Sequence, residues 1–204
     1  MKTLLYFMVT SIMFCSCDSS IKVIGIQAIG KTGLDEIDTV KIVLEKVYGR
    51  EVIVLPPQTL PDFAFINIKS PRYRADSLLY FLRKSKPNEV DMVMGITDSD
   101  ISITKKDADG NIKQPTSTYK DWGVMGLGFC PGTSSIVSTH RLGRSDKKRF
   151  IDRLKKIAVH EAGHNMGLQH CTSKECVMKD AAETILTIDE VRLELCDQCK
   201  RKLN

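Results

Sequence analysis

Residues 160–170 read HEAGHNMGLQH. His160 and His164 are four residues apart, so on a helix they stand one above the other on the same face. Two imidazoles in that relation can hold one Zn²⁺, at about 2.0–2.1 Å each. Glu161 follows the first histidine directly, where its carboxylate can reach a metal-bound water without being a ligand. Gly167 comes three residues after His164, where a chain leaving a helix needs a residue that tolerates positive φ. The turn it permits swings His170 back as a third nitrogen ligand. The competing reading is two surface histidines on an amphipathic helix. In a chain of this composition a chance HExxH has a probability well under ~1%, and three of only four histidines fall in this stretch. The metal site is the reading carried forward.

The stretch fills every position of the long zincin motif HExxHxxGxxH. After it come Cys171, Cys176, Val177 and Met178, and later Cys196-Asp-Gln-Cys199. The whole pattern, HExxHxxGxxHCxxxxCxM followed by CxxC, resembles the archaemetzincin (archaelysin) family of zinc metallopeptidases. The resemblance can be followed from about Ile21 to the C-terminus, with its specific motifs in the last 45 residues. It implies a catalytic zinc on His160, His164 and His170, and a structural zinc on Cys171, Cys176, Cys196 and Cys199. That makes two zinc ions per chain, with Met178 as the methionine of the Met-turn. Taken by themselves, the cysteine spacings suit a closed tetrahedral thiolate site. Two disulfides are the alternative, which an exported protein makes respectable. Cys130 has no evident partner and is read as a small buried hydrophobe.

The length of 204 residues suits one domain whose core needs no disulfide staples. A hydrophobic share of 42% with 27% charged residues is ordinary for a globular protein. The net charge of +5 comes with no Lys/Arg block interleaved with aromatics, so it says little about nucleic acid and reads as a solvated surface; no nucleic-acid partner is expected. The chain is read as a monomer acting on a peptide or protein substrate.

Residues 1–16 read as a signal peptide. Lys2 is a short positive region, and Leu4 to Phe14 form an apolar run too short for a comfortable membrane span. Ser16 before Cys17 then resembles the end of a bacterial lipoprotein signal, with Cys17 taking the lipid. The expected place is the bacterial cell envelope, with the membrane met through that lipid alone. An ordinary secretory signal, giving a secreted or periplasmic protein, is the competing reading. Residues 17–204 make the single domain, with a cysteine-bound subdomain over about 167–204.

From Ile21 onward strands and helices alternate, which points to an α/β fold. Ile21 to Ile29 is a β-branched run suited to a buried strand. Leu34 to Val47 has a helical apolar period ended by Tyr48-Gly49, and Glu51 to Leu55 is a second strand stopped by Pro56-Pro57. Strand, helix and strand at this length make a parallel βαβ unit. Pro56 to Pro71 reads as a connection, and Asp76-Ser77 as the N-cap of a helix over Leu78 to Lys84. Val90 to Ile96, Trp122 to Phe129 and Ser134 to Thr139 are further strands. Lys147 to Met166 is one long amphipathic helix that delivers His160 and His164 at its end. Past Gly167, a helical pattern covers only Asp189 to Leu195. The expected fold is a mixed, mainly parallel, twisted five-stranded sheet with two long helices, in the α+β manner of the metzincins. The resemblance makes Trp122 to Phe129 an antiparallel edge strand above the site, along which a substrate binds by strand addition.

A water activated on zinc, with Glu161 as general base, would hydrolyse a peptide bond. A non-catalytic zinc-containing envelope binding protein, and a metal-dependent hydrolase of a non-peptide substrate, are the alternatives. An intact Glu161 argues against the first of these, since a purely structural site has no use for it. Asp98 and Asp100 read as an acid–base pair, a loop cap or a calcium-like cluster. His140 and Tyr119 are available as oxyanion donors or as structural residues.

Overall fold

The computed structural model describes residues 21–180 and 184–203. The signal expected over 1–16 and the expected lipidation site Cys17 lie outside the described residues. The elements, in order, are β1 (Val23–Ile29), α1 (Leu34–Tyr48), β2 (Glu51–Gln58), β3 (Phe65–Asn67), β4 (Pro71–Arg74), α2 (Ala75–Ser85), β5 (Met92–Thr97) and β6 (Ile101–Ile103). There follow α3 (Thr116–Tyr119), β7 (Trp122–Val124), β8 (Gly126–Gly128), β9 (Ser134–Ser138), α4 (Lys147–Asn165), α5 (Ile185–Glu190) and α6 (Asp197–Lys202).

Five strands form the main sheet in the order β2-β1-β5-β9-β8. β1 pairs in parallel with β2 and β5, and β5 with β9, while β8 runs antiparallel to β9 at the edge. This is the mixed, mainly parallel sheet expected. The central strand β5 is buried at all six positions, as a strand covered on both faces must be. One face carries α1 and α4, whose Val40, Leu44, Leu154, Ala158 and Ala162 close over Ile24, Ile26, Met92, Met94 and Ile96. The other carries α2, whose Leu78, Leu79 and Leu82 pack with Ile29, Val93 and Ile136.

Several elements differ from the expectation. β2 continues through Pro56-Pro57 to Gln58, because it is an edge strand where a missing N–H costs no ladder bond; Gln27 caps the run by donating from Nε2 to Pro56 O. α2 starts at Ala75, without a side-chain cap on its N-cap residue Arg74. Asp76 instead accepts from Arg74 and from the Ser77 N–H. The Pro56 to Pro71 connection holds β3, part of a second sheet in the order β3-β4-β6-β7. Trp122 to Phe129 is not one strand: it bends at Met125, leaving β7 in the second sheet and β8 as the antiparallel edge of the first. Past Gly167 the helices are α5 and α6, not Asp189 to Leu195. Backbone bonds from Arg192 N to Glu175 O (2.8 Å) and from Val177 N to Glu194 O (2.9 Å) hold the chain beyond Glu190 out of a helix.

Candidate metal centre and cleft

α4 is capped at its start by Asp146, whose carboxylate accepts from the Arg149 N–H at 3.0 Å. It stops where Gly167 adopts φ 89°. Gly167 N donates to His164 O at 2.9 Å and Leu168 N to Gly163 O at 2.9 Å. This is the Schellman pattern, which needs a left-handed residue at that point. The chain therefore leaves the helix in a tight reversal, and His170 returns to the side of His160 and His164. The ring centroids lie 4.6, 4.9 and 5.4 Å apart.

Two carbonyls settle which ring nitrogens of the helical pair are free. His160 Nδ1 lies 2.8 Å from Val177 O, and His164 Nδ1 lies 2.7 Å from Leu168 O. A carbonyl only accepts, so both Nδ1 atoms carry the proton and both Nε2 atoms carry lone pairs. Those two Nε2 atoms are 3.0 Å apart. Two lone pairs at that distance repel unless a cation lies between them. Tetrahedral zinc at about 2.0–2.1 Å would set them about 3.3–3.4 Å apart, so the donor set fits such an ion. Burial lowers the His160 pKa to about 4, and also lowers that of His164. Both are neutral at physiological pH, as ligands must be. His170 is half-exposed, with its Nδ1 3.6 Å from Asp180 Oδ2.

The cysteines make a second cluster. Cys171 and Cys196 Sγ are 3.6 Å apart, and Cys176 and Cys199 Sγ 3.8 Å apart. A disulfide needs about 2.05 Å. Four sulfurs at about 2.3 Å from one zinc stand about 3.8 Å from each other, so these residues also fit a metal. The Cys199 N–H, the leading influence on the Cys196 thiol, brings it down to about 7. The two clusters are joined through one short turn: Cys171 N donates to Met178 O at 2.8 Å, and Val177 O receives His160. Met178 itself is fully buried beneath α4.

Glu161 points from α4 toward β8. A Cβ added to Gly126 would stand 2.5 Å from Glu161 Oε1, and one on Gly128 would stand 2.9 Å from Glu161 O. The glycines of the edge strand therefore make room for the glutamate and its helix, as well as leaving a bare strand edge. Burial pushes the Glu161 carboxyl up to about 8. Histidines, glutamate and edge strand line one cleft of about 760 Å³.

Other singled-out residues settle differently. Asp100 is buried in an ion pair, accepting from Arg141 Nε and Nη2 at 2.7 Å each, with Arg72 Nε at 3.2 Å. It is a structural anchor. Tyr119 stacks on Trp122 at 5.3 Å, and neither it nor His140 is among the residues lining the cleft. Cys130 is not a buried hydrophobe: it lines the cleft, half-buried, giving its S–H to Leu168 O (3.3 Å) and accepting from Gln169 Nε2 (3.0 Å). Asn165 escaped sequence reasoning altogether. Its buried amide donates to Phe129 O (3.0 Å) and Ser134 O (2.8 Å), which ties the end of α4 to the β8–β9 hairpin. Its only signal was a polar residue at a core-facing helical position.

Three convergent imidazoles, a buried carboxylate and a bare strand edge define a metal-dependent hydrolase. Comparison with known proteins narrows this. The model of the family described as Peptidase family M54 matches residues 35–204. An archaemetzincin of Natronomonas pharaonis is 31% identical over 169 residues, covering 78% of this chain and 87% of its own. The crystal structure of the Methanopyrus kandleri archaemetzincin superposes with a TM-score of 0.72 at 26% identity, covering 93% of this chain and 96% of that one. The Archaeoglobus fulgidus archaemetzincin shares the fold, with a TM-score of 0.70, 23% identity and coverage of 88% and 99%. The chain belongs to peptidase family M54, the archaemetzincins, and is a zinc metallopeptidase.

Proposed function

We propose that the chain hydrolyses peptide bonds at the His160, His164 and His170 centre, with Glu161 as general base. The observation that carries this is the position of Glu161: buried, next in sequence to a metal-fitting histidine, and facing the strand edge where an extended substrate can lie. The three imidazoles would hold the catalytic zinc, and Cys171, Cys176, Cys196 and Cys199 a structural one. When bound, zinc supplies Lewis acidity, lowering the pKa of water and polarising a carbonyl. Burial raises the Glu161 carboxyl, and a neighbouring cation favours its ionised form. The two effects oppose each other and leave a carboxylate able to exchange a proton near neutral pH. Glu161 would take the proton from the attacking water and return it to the leaving amine. The free edge of β8 offers backbone N–H and C=O groups to an extended peptide, which would add as a further strand. The substrate amide is thereby held across Glu161.

The apolar run before Ser16-Cys17 supports export and lipid anchoring through Cys17 at a bacterial envelope. Among the described residues no helix is long and apolar enough to cross a membrane. The test of function is a peptide panel incubated with the zinc-loaded protein, with and without chelator. Hydrolysis that stops on chelation and returns with zinc is the expected result. Absence of cleavage from the zinc-loaded protein across the panel contradicts the proposal.

A further inference from the structure

We propose that the end of the cleft away from the histidines is an anion subsite that selects a substrate carboxylate about three residues from the bond cut. This rests on the peptidase reading above. Lys69, Arg72, Lys105 and Arg141 line the same cleft as His160 and Glu161. Two carboxylates face these four cations. Asp100 is shared by Arg141 and Arg72, and Asp121 lies 3.4 Å from Arg72 Nη1. Both carboxylates are buried and engaged by the arginines. Two positive charges are left over at this end, and the lysines carry them. Lys156 and Lys179, elsewhere on the lining, pair with Asp152 and Glu190 and do not add to the group.

The lysines have donors to spare. Lys69 Nζ gives one hydrogen bond, to Thr118 O at 2.7 Å. Lys105 Nζ sits 4.5 Å from the Trp122 ring centroid, a contact that uses the charge but not the N–H groups. An ammonium has three donors, so an arriving carboxylate finds several. The wall beneath is Trp122, backed by stacked Tyr119.

The spacing follows from the edge itself. Arg141 packs directly over Gly123, where any Cβ would collide with its guanidinium, and Glu161 packs in the same way against Gly126. Three residues, across the bend at Met125, separate these glycines, so they lie about 10 Å apart at most. A substrate laid along β8 and continuing past the bend in extended form covers that distance in about three residues. With its scissile bond at Glu161, its third residue to one side reaches the basic end. The carboxylate recognised could be an Asp or Glu side chain, or the C-terminal carboxylate of a short peptide.

The experiment uses the zinc-loaded full chain and a defined peptide mixture, with cut sites read by mass spectrometry. Each peptide is present as a Glu/Gln pair at every position, and as free acid and C-terminal amide. Within pairs, the member with a carboxylate two to four residues to one side of the cut is expected to be cleaved about three- to tenfold faster. The Glu/Gln arm reports side chains and the acid/amide arm the terminus. Lys69→Gln with Lys105→Gln should bring the ratio close to one, and Lys105→Glu should turn it in favour of the Gln member. Lys147→Gln with Lys148→Gln removes equal charge outside the cleft and should leave the ratio intact. A ratio of one at every position, or a ratio unchanged by the cleft variants, overturns the subsite. Fluorescence anisotropy with labelled Glu and Gln peptides separates the two readings. Charge-selective binding without cleavage supports the subsite and sinks the peptidase reading, whereas cleavage without charge preference does the reverse.

Discussion

Gly163 and Met178 meet with no space between them: a Cβ on Gly163 would stand 2.5 Å from Met178 Sδ and 3.0 Å from the buried Tyr48 hydroxyl. Gly163 lies on α4 between the two helical histidines, and Met178 closes the turn whose Val177 carbonyl orients His160. The metal-fitting face of the helix thus rests on a sulfur that a side chain at position 163 would displace. Gly163→Ala should cost about 1–3 kcal/mol through overpacking, partly offset by the roughly 0.5–1 kcal/mol that alanine gains over glycine in a helix. Met178→Leu should cost less than about 1.5 kcal/mol. Urea unfolding of the zinc-loaded variants measures both, and a more stable Gly163→Ala protein would contradict this packing.

Gly126→Ala addresses the other side of the helix. Its methyl would press on Glu161 Oε1 while leaving the imidazoles untouched. Zinc content should be unchanged, whereas kcat/KM should fall about 10²-fold, as for a reacting group displaced by about 1 Å. Loss of metal together with activity would show that the strand supports the histidines instead.

Arg153 ties α4 to α5. Its Nε and Nη2 donate to Asp189 Oδ1 and Oδ2 at 2.7 and 2.6 Å, and its Nη1 donates to Leu142 O at 2.7 Å. The Arg153 guanidinium holds the Asp189 carboxyl below the usual carboxylate range. A folded-state pKa below the unfolded one gives stability that is present above the unfolded value. That stability is lost as pH falls through the folded value. Asp189→Asn should therefore remove about 1.5–3 kcal/mol at neutral pH and flatten the stability loss below about pH 4. Denaturation midpoints against pH for both proteins check the sign.

The proposed zinc content predicts two ions per chain with different release. The cysteine cluster is closed and half-buried, so its ion should leave slowly; the histidine centre opens on the cleft and should yield to chelator first. Elemental analysis with thiol titration measures this. One zinc per chain and no free thiols after denaturation would favour disulfides over a second metal.

The sequence carried the main sheet and the long helices because β1, β5, α1 and α4 have apolar runs long enough to show their period. The second sheet left little such trace, with only β7 falling inside a stretch read as a strand. β3, β4, β6 and β7 are three or four residues each, too short to show a period, and they are strands because their partners pair with them. The segment from Asp189 to Leu195 carried a helical period, yet the helix ends at Glu190, and backbone bonds to residues 175 and 177 outweigh local preference beyond it. At the site, residue types and spacing announced the histidines, Glu161 and the turn at Gly167. What stayed hidden depends on the fold: Asn165 clamping the hairpin, Asp100 spent on two arginines, and the basic end of the cleft.

The central claim is that Glu161 is the base, and Glu161→Gln tests it most directly. The amide is nearly isosteric and is not a ligand, so zinc content and peptide binding should match the unaltered protein. An amide cannot accept the proton of water at neutral pH, so hydrolysis should fall by ~10²–10⁴. His164→Ala, which leaves two imidazoles, should lose catalytic zinc along with activity. The measurement is the rate of peptide hydrolysis by Glu161→Gln with its metal content determined on the same sample. Full zinc with a rate reduced at least about 10²-fold is the predicted result, and full zinc with an unaltered rate would contradict the account.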